Sequence, residues 1–271
     1  MELKREHLSV ANINTYVVSA GTGTPVLLLH GLGASTYSWR FLQPLLAAKH
    51  KVYAVDLPGF GRTDKPADFD YSFAGFADWL VSLMDELGLE QAAFVGNSMG
   101  AATAVRLALV EPARVRCLGL LGSPFYLGNH PKLMWPMRWP YVGRLYEAFL
   151  GRWAVALIAP TAFYDRSLVT DDVIDEYALA LKEKGGRFAV AEFLRRAIPP
   201  DAAAWMERYK TLAVPALVIR CEHDGVVDRA SSERFCREAP RARFVHVAAC
   251  GHAPQEEKPE AVAEALLEFL A

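Results

Sequence analysis

The segment Gly96-Asn97-Ser98-Met99-Gly100 sets a serine between two glycines, each two residues away from it. The apolar run Ala92-Ala93-Phe94-Val95 before it reads as a buried strand, and the stretch from Ala101 to Val110 after it reads as a helix. A serine on such a turn is lifted above the sheet edge, and the glycines let strand and helix backbones approach where a Cβ would crowd them. Its hydroxyl is a candidate nucleophile, and the unpaired amides that open the next helix suit a developing negative charge.

Ser98 needs a base. Among the seven histidines, His252 follows the strand-like Phe244-Val245-His246-Val247 in the loop from Ala248 to Pro254, ahead of a helical pattern from Glu256 to Leu270. An imidazole there can remove the Ser98 proton and later protonate the leaving oxygen. A third group should orient that imidazole and stabilise its protonated form. Asp224, in the loop Cys221-Glu222-His223-Asp224-Gly225 after the strand-like Ala216 to Arg220, is the first candidate, with Glu222 and Asp228 as neighbouring alternatives. Acyl transfer also needs donors for an oxyanion. The backbone N–H of Met99 is one candidate, and the loop His30-Gly31-Leu32-Gly33 offers the other through Leu32, with His30 read as a brace for that loop.

Neither His30-Gly31-Leu32-Gly33 nor Asp56-Leu57-Pro58-Gly59-Phe60-Gly61 matches a dinucleotide or phosphate loop. There is no H-E-x-x-H signature, and although His223 and Asp224 are adjacent, no cluster of further ligands in a metal-binding pattern supports a metal site. No cofactor and no metal are therefore expected.

The elements that must position these groups alternate along the chain. Leu8-Ser9-Val10 and Ile13 to Val18 read as an opening antiparallel hairpin about Ala11-Asn12. Strands are expected at Val26–Leu29, Val52–Val55, Phe94–Val95, Leu118–Leu121, Leu217–Ile219 and Phe244–Val247, and helices at Tyr37–Ala47 and Phe73–Leu87. Continuous apolar strands alternating with helices imply a mostly parallel sheet covered on both faces, with reactive groups beyond the carboxyl ends of its strands. The rhythm breaks between about Pro124 and Leu212. Residues 1–124 and 213–271 thus read as the core, and 125–212 as a helical cap inserted over its active face. That stretch is rich in aromatics, so Phe125, Tyr126, Trp135 and Trp139 are candidate substrate-pocket residues.

Composition narrows the function class. With 52% hydrophobic residues the chain can bury a sizeable core, and 22% charged residues argues against disorder. A formal net charge of −2 without a basic run argues against a nucleic-acid partner and leaves a small molecule. No apolar stretch of membrane-spanning length occurs, and the charged opening Glu2 to Glu6 does not resemble an export segment, so a cytoplasmic protein is expected. Cys117, Cys221, Cys236 and Cys250 form no paired motif and read as reduced thiols. Oligomeric state is not legible.

Four stretches together resemble the α/β-hydrolase superfamily: His30 to Gly33, Asp56 to Gly61, Gly96 to Gly100, and Gly251-His252 followed by Pro259-Glu260. The resemblance implies the α/β-hydrolase fold, a mostly parallel eight-stranded sheet flanked by helices, with a helical cap inserted after the sixth strand. The chain order Ser98, Asp224, His252 is that superfamily's serine–acid–histidine order. The resemblance assigns these three as nucleophile, acid and base, with oxyanion donation from the Leu32 and Met99 amides. A serine carboxylesterase acting on an apolar ester is the leading expectation. The turn Gly96 to Gly100 also resembles that of carbon–carbon bond hydrolases of ring-cleavage products, which implies Asn97 as a substrate-pocket residue and a cap arginine, for which Arg187, Arg195 and Arg196 are candidates. Lactonase or perhydrolase chemistry and a non-enzymatic ligand receptor complete the alternatives.

Overall fold

The computed structural model describes residues 2–126, 147, 149–198 and 201–271. It opens with strands β1 (Lys4–Val10) and β2 (Ile13–Ala20), paired antiparallel with Val10 opposite Ile13. Ala11 and Asn12 both take positive φ, 48° and 64°. This is the combination whose twist matches a tight two-residue hairpin. Strands β3 (Pro25–Leu29), β4 (Lys51–Val55), β5 (Ala92–Asn97), β6 (Val115–Leu121), β7 (Ala216–Cys221) and β8 (Ala242–Val247) complete an eight-stranded sheet in the order β1-β2-β4-β3-β5-β6-β7-β8. β2 meets β4 antiparallel; from β4 through to β8 every pairing is parallel.

Side chains alternate across the sheet and sort into two apolar layers. Leu27, Leu29, Phe94 and Leu118 face a layer with Phe76, Leu80, Leu83 and Val105 from the helices Phe73–Glu86 and Met99–Val110. Val26, Leu28, Val95 and Leu217 face the other, with Trp39, Leu42, Val262 and Leu266. Central strands are therefore apolar on both faces, which is why they read as continuous runs.

Two expected helices are interrupted, each at a proline. The stretch 37–47 is a 3-10 turn, Thr36–Trp39, followed by the short helix Leu42–Leu46. Pro44 has no N–H to give and its ring would collide with the Arg40 carbonyl, so a continuous helix through both is excluded. The C-terminal pattern likewise divides into Pro254–Glu257 and Pro259–Leu270, with Pro259 opening the second piece where its missing N–H costs nothing. Between β6 and β7 the helices Arg152–Ala162, Asp171–Tyr177, Leu179–Lys182, Gly186–Arg196 and Ala202–Glu207 interrupt the strand–helix rhythm. No helix among the described residues is long and apolar enough to cross a membrane. All four cysteines are free.

Candidate active site

β5 ends at Asn97 and the next helix begins at Met99, so Ser98 alone makes the turn, with φ 51° and ψ −112°. A non-glycine residue held there is strained and must be over-determined by its surroundings. Its N–H donates to the Leu121 carbonyl at 2.8 Å, and its carbonyl accepts the Ala102 N–H at 3.0 Å. The flanking glycines have no room for a side chain. A Cβ on Gly96 would stand 2.4 Å from the Ala101 nitrogen, and one on Gly100 would stand 2.1 Å from the Leu29 carbonyl oxygen.

His252 and Asp224 meet beyond the ends of β8 and β7. Nδ1 of His252 lies 3.0 Å from each carboxylate oxygen of Asp224, and both side chains are buried. With Nδ1 facing the carboxylate, the partner assigns the ring proton there and leaves Nε2 as the acceptor. The amides of Val226 and Val227 donate to Asp224 Oδ1 at 2.9 and 3.0 Å. Burial acts to raise the Asp224 pKa, but the hydrogen bond and charge of His252 and these two amides outweigh it, and the carboxyl is held below its usual range. Glu222 instead accepts the Ala249 N–H, and Asp228 caps the helix Arg229–Glu238 through the Ser231 N–H.

Two backbone amides border Ser98. Met99 heads its helix and has no carbonyl one turn earlier to receive its N–H. Leu32 lies in the turn closed by the Ala34 N–H on the Gly31 carbonyl, so its own amide is not consumed by that turn. The loop is braced from below. His30 donates from Nδ1 to the Gly31 carbonyl and accepts the Leu57 N–H on Nε2. Asp56, fully buried, accepts the amides of Thr36 and Arg62, and Gly61 leaves space for its carboxylate. Asn97 ties the centre together: its Nδ2 donates to the carbonyls of His252 at 3.0 Å and Leu121 at 3.3 Å.

Ser98 and His252 open onto one cavity of about 320 Å³. Its floor is Gly31 to Ala34, Asn97 and Ala253; its walls are Ala154, Val155, Ile158, Ala159 and Ala162 from the helix Arg152–Ala162, with Leu181, Val190 and Leu194. No lysine or arginine lines it among the described residues. Tyr177 also lines it and donates its hydroxyl to Glu256, whose other oxygen pairs with Arg40 at 2.5 Å.

Residues 24–259 match the family model of the alpha/beta hydrolase fold. The chain belongs to the α/β-hydrolase family. It is 28% identical over 246 residues to the uncharacterised hydrolase YugF of Bacillus subtilis, covering 90% of this chain and 89% of that protein. It is 29% identical over 286 residues to a 2-hydroxymuconate semialdehyde hydrolase of a Pseudomonas strain, covering 100% and 94% of the two. Among solved structures it resembles the meta-cleavage product hydrolase CumD of Pseudomonas fluorescens, in a mutant complexed with acetates, with a TM-score of 0.82 and 28% identity over 98% of this chain and 97% of that one.

This α/β hydrolase brings Leu32, Asn97, Ser98 and His252 to one cavity, with Asp224 on His252 and Met99 next to Ser98; the hydrogen-bonded Asn97 and His252 alone are 155 positions apart. It does not bring Phe125 or Tyr126 to the cavity. Phe125 is buried against Phe235, ring centroids 3.8 Å apart, and Tyr126 donates its hydroxyl to Glu238. These rings seat the inserted segment on the helix Arg229–Glu238, because an aromatic buries more area against another flat ring than against a solvent-filled cleft. Trp135 and Trp139 lie outside the described residues. Sequence reasoning missed the wall of the cavity, although Ala154, Val155, Ile158, Ala159 and Ala162 carry the three-and-four spacing of one helix face. It also missed Gly122, with φ 53°, where a Cβ would meet both His252 and Asp224.

Proposed function

We propose that this hydrolase is a serine-dependent carboxylic-ester hydrolase acting on small or medium uncharged esters. The observation that carries the reading is the apolar cavity onto which Ser98 and His252 both open, with no lysine or arginine among its described walls. Such a wall favours an uncharged acyl group, whose burial contributes roughly 0.8 kcal/mol per methylene. Residues 125–212 act as a cap in this reading, enclosing the acyl chain and excluding water.

In the acylation step Ser98 Oγ attacks the ester carbonyl carbon while His252 Nε2 takes the hydroxyl proton. The oxyanion that forms is stabilised by the Met99 and Leu32 amides, and Asp224 stabilises the imidazolium. Collapse breaks the bond to the alcohol oxygen, which receives the proton from His252. Water, deprotonated by the same nitrogen, then attacks the acyl-enzyme and releases the acid and free Ser98. No cofactor, metal or nucleic-acid partner enters this chemistry.

A second reading, hydrolysis of a carbon–carbon bond in a ring-cleavage product, is favoured by the named activities of the Pseudomonas relatives, which are similar over nearly the full chain. Its acidic substrate calls for a cation at the cavity. Arg187 donates to the Leu181 carbonyl, Arg195 pairs with Glu192, and Arg196 pairs with Glu192 and Asp70; none of the three lines the cavity. The test is kcat/KM on neutral aryl esters of two to eight acyl carbons, a lactone and a ring-cleavage dienol. Preference for the esters is expected, and a dienol preference of 100-fold or more would reverse the order of the two readings.

A further inference from the structure

The loop that carries His252 is fastened to the inserted segment by consecutive residues. The His252 N–H donates to the Ala162 carbonyl at 2.6 Å. One residue earlier, the Gly251 N–H donates to Glu257 Oε1 at 2.8 Å. The other oxygen of the same carboxylate accepts the N–H groups of Tyr164 at 2.8 Å and Asp165 at 3.1 Å. Ala162 and Phe163, immediately before Tyr164, line the cavity beside His252. The contact is closed tightly: a Cβ on Gly251 would stand 2.6 Å from the Ala162 oxygen and the Tyr164 nitrogen. The ring of Tyr164 also stacks on His223, centroids 4.4 Å apart, next to Asp224.

We propose that Glu257 is a positioning residue that acts through Gly251 on His252 and through Tyr164 and Asp165 on the cavity wall, so that alignment of the imidazole depends on seating of the inserted segment. The inference rests on the serine-hydrolase reading above. A carboxylate is required because both oxygens must accept; three charge-assisted bonds from backbone amides make a stiff clasp. A glutamine supplies one acceptor oxygen and turns its NH₂ against amide donors on the other side. Release of the clasp displaces His252 relative to Ser98, and a misplacement of about 1 Å costs on the order of 100-fold in rate.

The experiment compares the full-length parent with Glu257→Gln and Glu257→Asp on a short neutral aryl ester, after titrating competent sites with a fluorophosphonate probe. For Glu257→Gln, kcat per titrated site is expected to fall about 10- to 100-fold, with KM changed by about twofold or less. Unchanged kcat per titrated site, with only a lower Tm or a smaller titrated fraction, would overturn the proposal and leave Glu257 a purely structural residue. Should neither variant fold, amide exchange in the parent decides. Gly251, Tyr164 and Asp165 are expected to share one protection level, and free exchange at Tyr164 and Asp165 beside a protected Gly251 would overturn it. A parent that neither labels on Ser98 nor cleaves the ester would refute the serine-hydrolase reading instead, and the exchange measurement would still judge the clasp.

Discussion

A Cβ on Gly122 would stand 2.8 Å from Nδ1 of His252, the nitrogen that faces Asp224. Gly122 follows β6 directly, takes φ 53°, and places its backbone where the imidazole and the carboxylate need space. Gly122→Ala therefore carries two penalties. The left-handed backbone costs about 1–2 kcal/mol of stability for a residue with a Cβ. The methyl also pushes the ring off Asp224, so kcat is expected to fall by on the order of 100-fold. Chemical denaturation and steady-state kinetics on the same preparation check both; a stable variant with parental kcat would show that the space is not needed.

Asp224→Asn replaces an acceptor-only group by one that turns an NH₂ toward Nδ1 or toward the Val226 and Val227 amides. The imidazole then loses its tautomeric control. A fall in kcat of roughly 10⁴-fold is expected by analogy with the worked serine-protease case. Glu222→Gln and Asp228→Asn, measured in parallel, are expected to stay within about tenfold, since their carboxylates serve Ala249 and Ser231. A large loss in either of these with a mild effect at Asp224 would reassign the acid.

The brace under the Leu32 loop is sensitive to acid. Burial holds the pKa of His30 down against the opposing influence of Asp56 and the Gly31 carbonyl. A proton on Nε2 would also set a donor against the Leu57 N–H. Because the folded value is depressed, the stability that neutral His30 contributes is complete above the unfolded value of about 6.5 and is lost as pH falls through the folded value. His30→Asn is expected to be less stable than the parent at pH 7.5, with the gap narrowing toward pH 5. A gap that stays constant in denaturant midpoints over that range would refute this role.

Acyl-chain selection should lie in the wall contributed by the helix Arg152–Ala162. Ala159→Phe adds a ring on the face of that helix that lines the cavity. Turnover of an acetyl ester is expected to change little. A hexanoyl ester has four more methylenes, each worth about 0.8 kcal/mol when buried, and should lose its kcat/KM advantage by roughly 10- to 100-fold. Equal effects on both esters would place the acyl group elsewhere.

How much of this could be read in the chain depends on how local each constraint is. The Ser98 turn was legible because Gly96 and Gly100 are demanded by backbone contacts within a few residues or with an adjacent strand. The hairpin at Ala11-Asn12 and the mostly parallel pairing of the apolar runs were legible for the same reason, whereas the order of the strands in the sheet was not read from the sequence. Asp224 was the first candidate over Glu222 and Asp228 from its place in the chain, but the contact of its carboxylate with His252 depends on the path of the His252 loop, which is fixed by contacts such as His223 N–H to the Cys250 carbonyl. The helix breaks at Pro44 and Pro259 were present in the sequence and lost to the surrounding apolar periodicity. The pocket was the weakest reading, because an aromatic-rich stretch says that rings will be buried but not against what. Phe125 and Tyr126 turn to Phe235 and Glu238, and the cavity is walled by alanines and branched aliphatics.

The central claim is that Ser98 attacks an ester. The most direct measurement is turnover of a neutral aryl ester by the parent and by Ser98→Ala, with mass spectrometry of both after exposure to a fluorophosphonate. The variant keeps the Ser98 backbone and removes only the hydroxyl, so its fold should match the parent's. The parent is expected to turn over repeatedly and to carry one adduct on the Ser98 peptide, while the variant loses on the order of 10⁶-fold in kcat and carries none. Comparable turnover by a correctly folded Ser98→Ala, or an adduct on a different residue of an active parent, would contradict the mechanism.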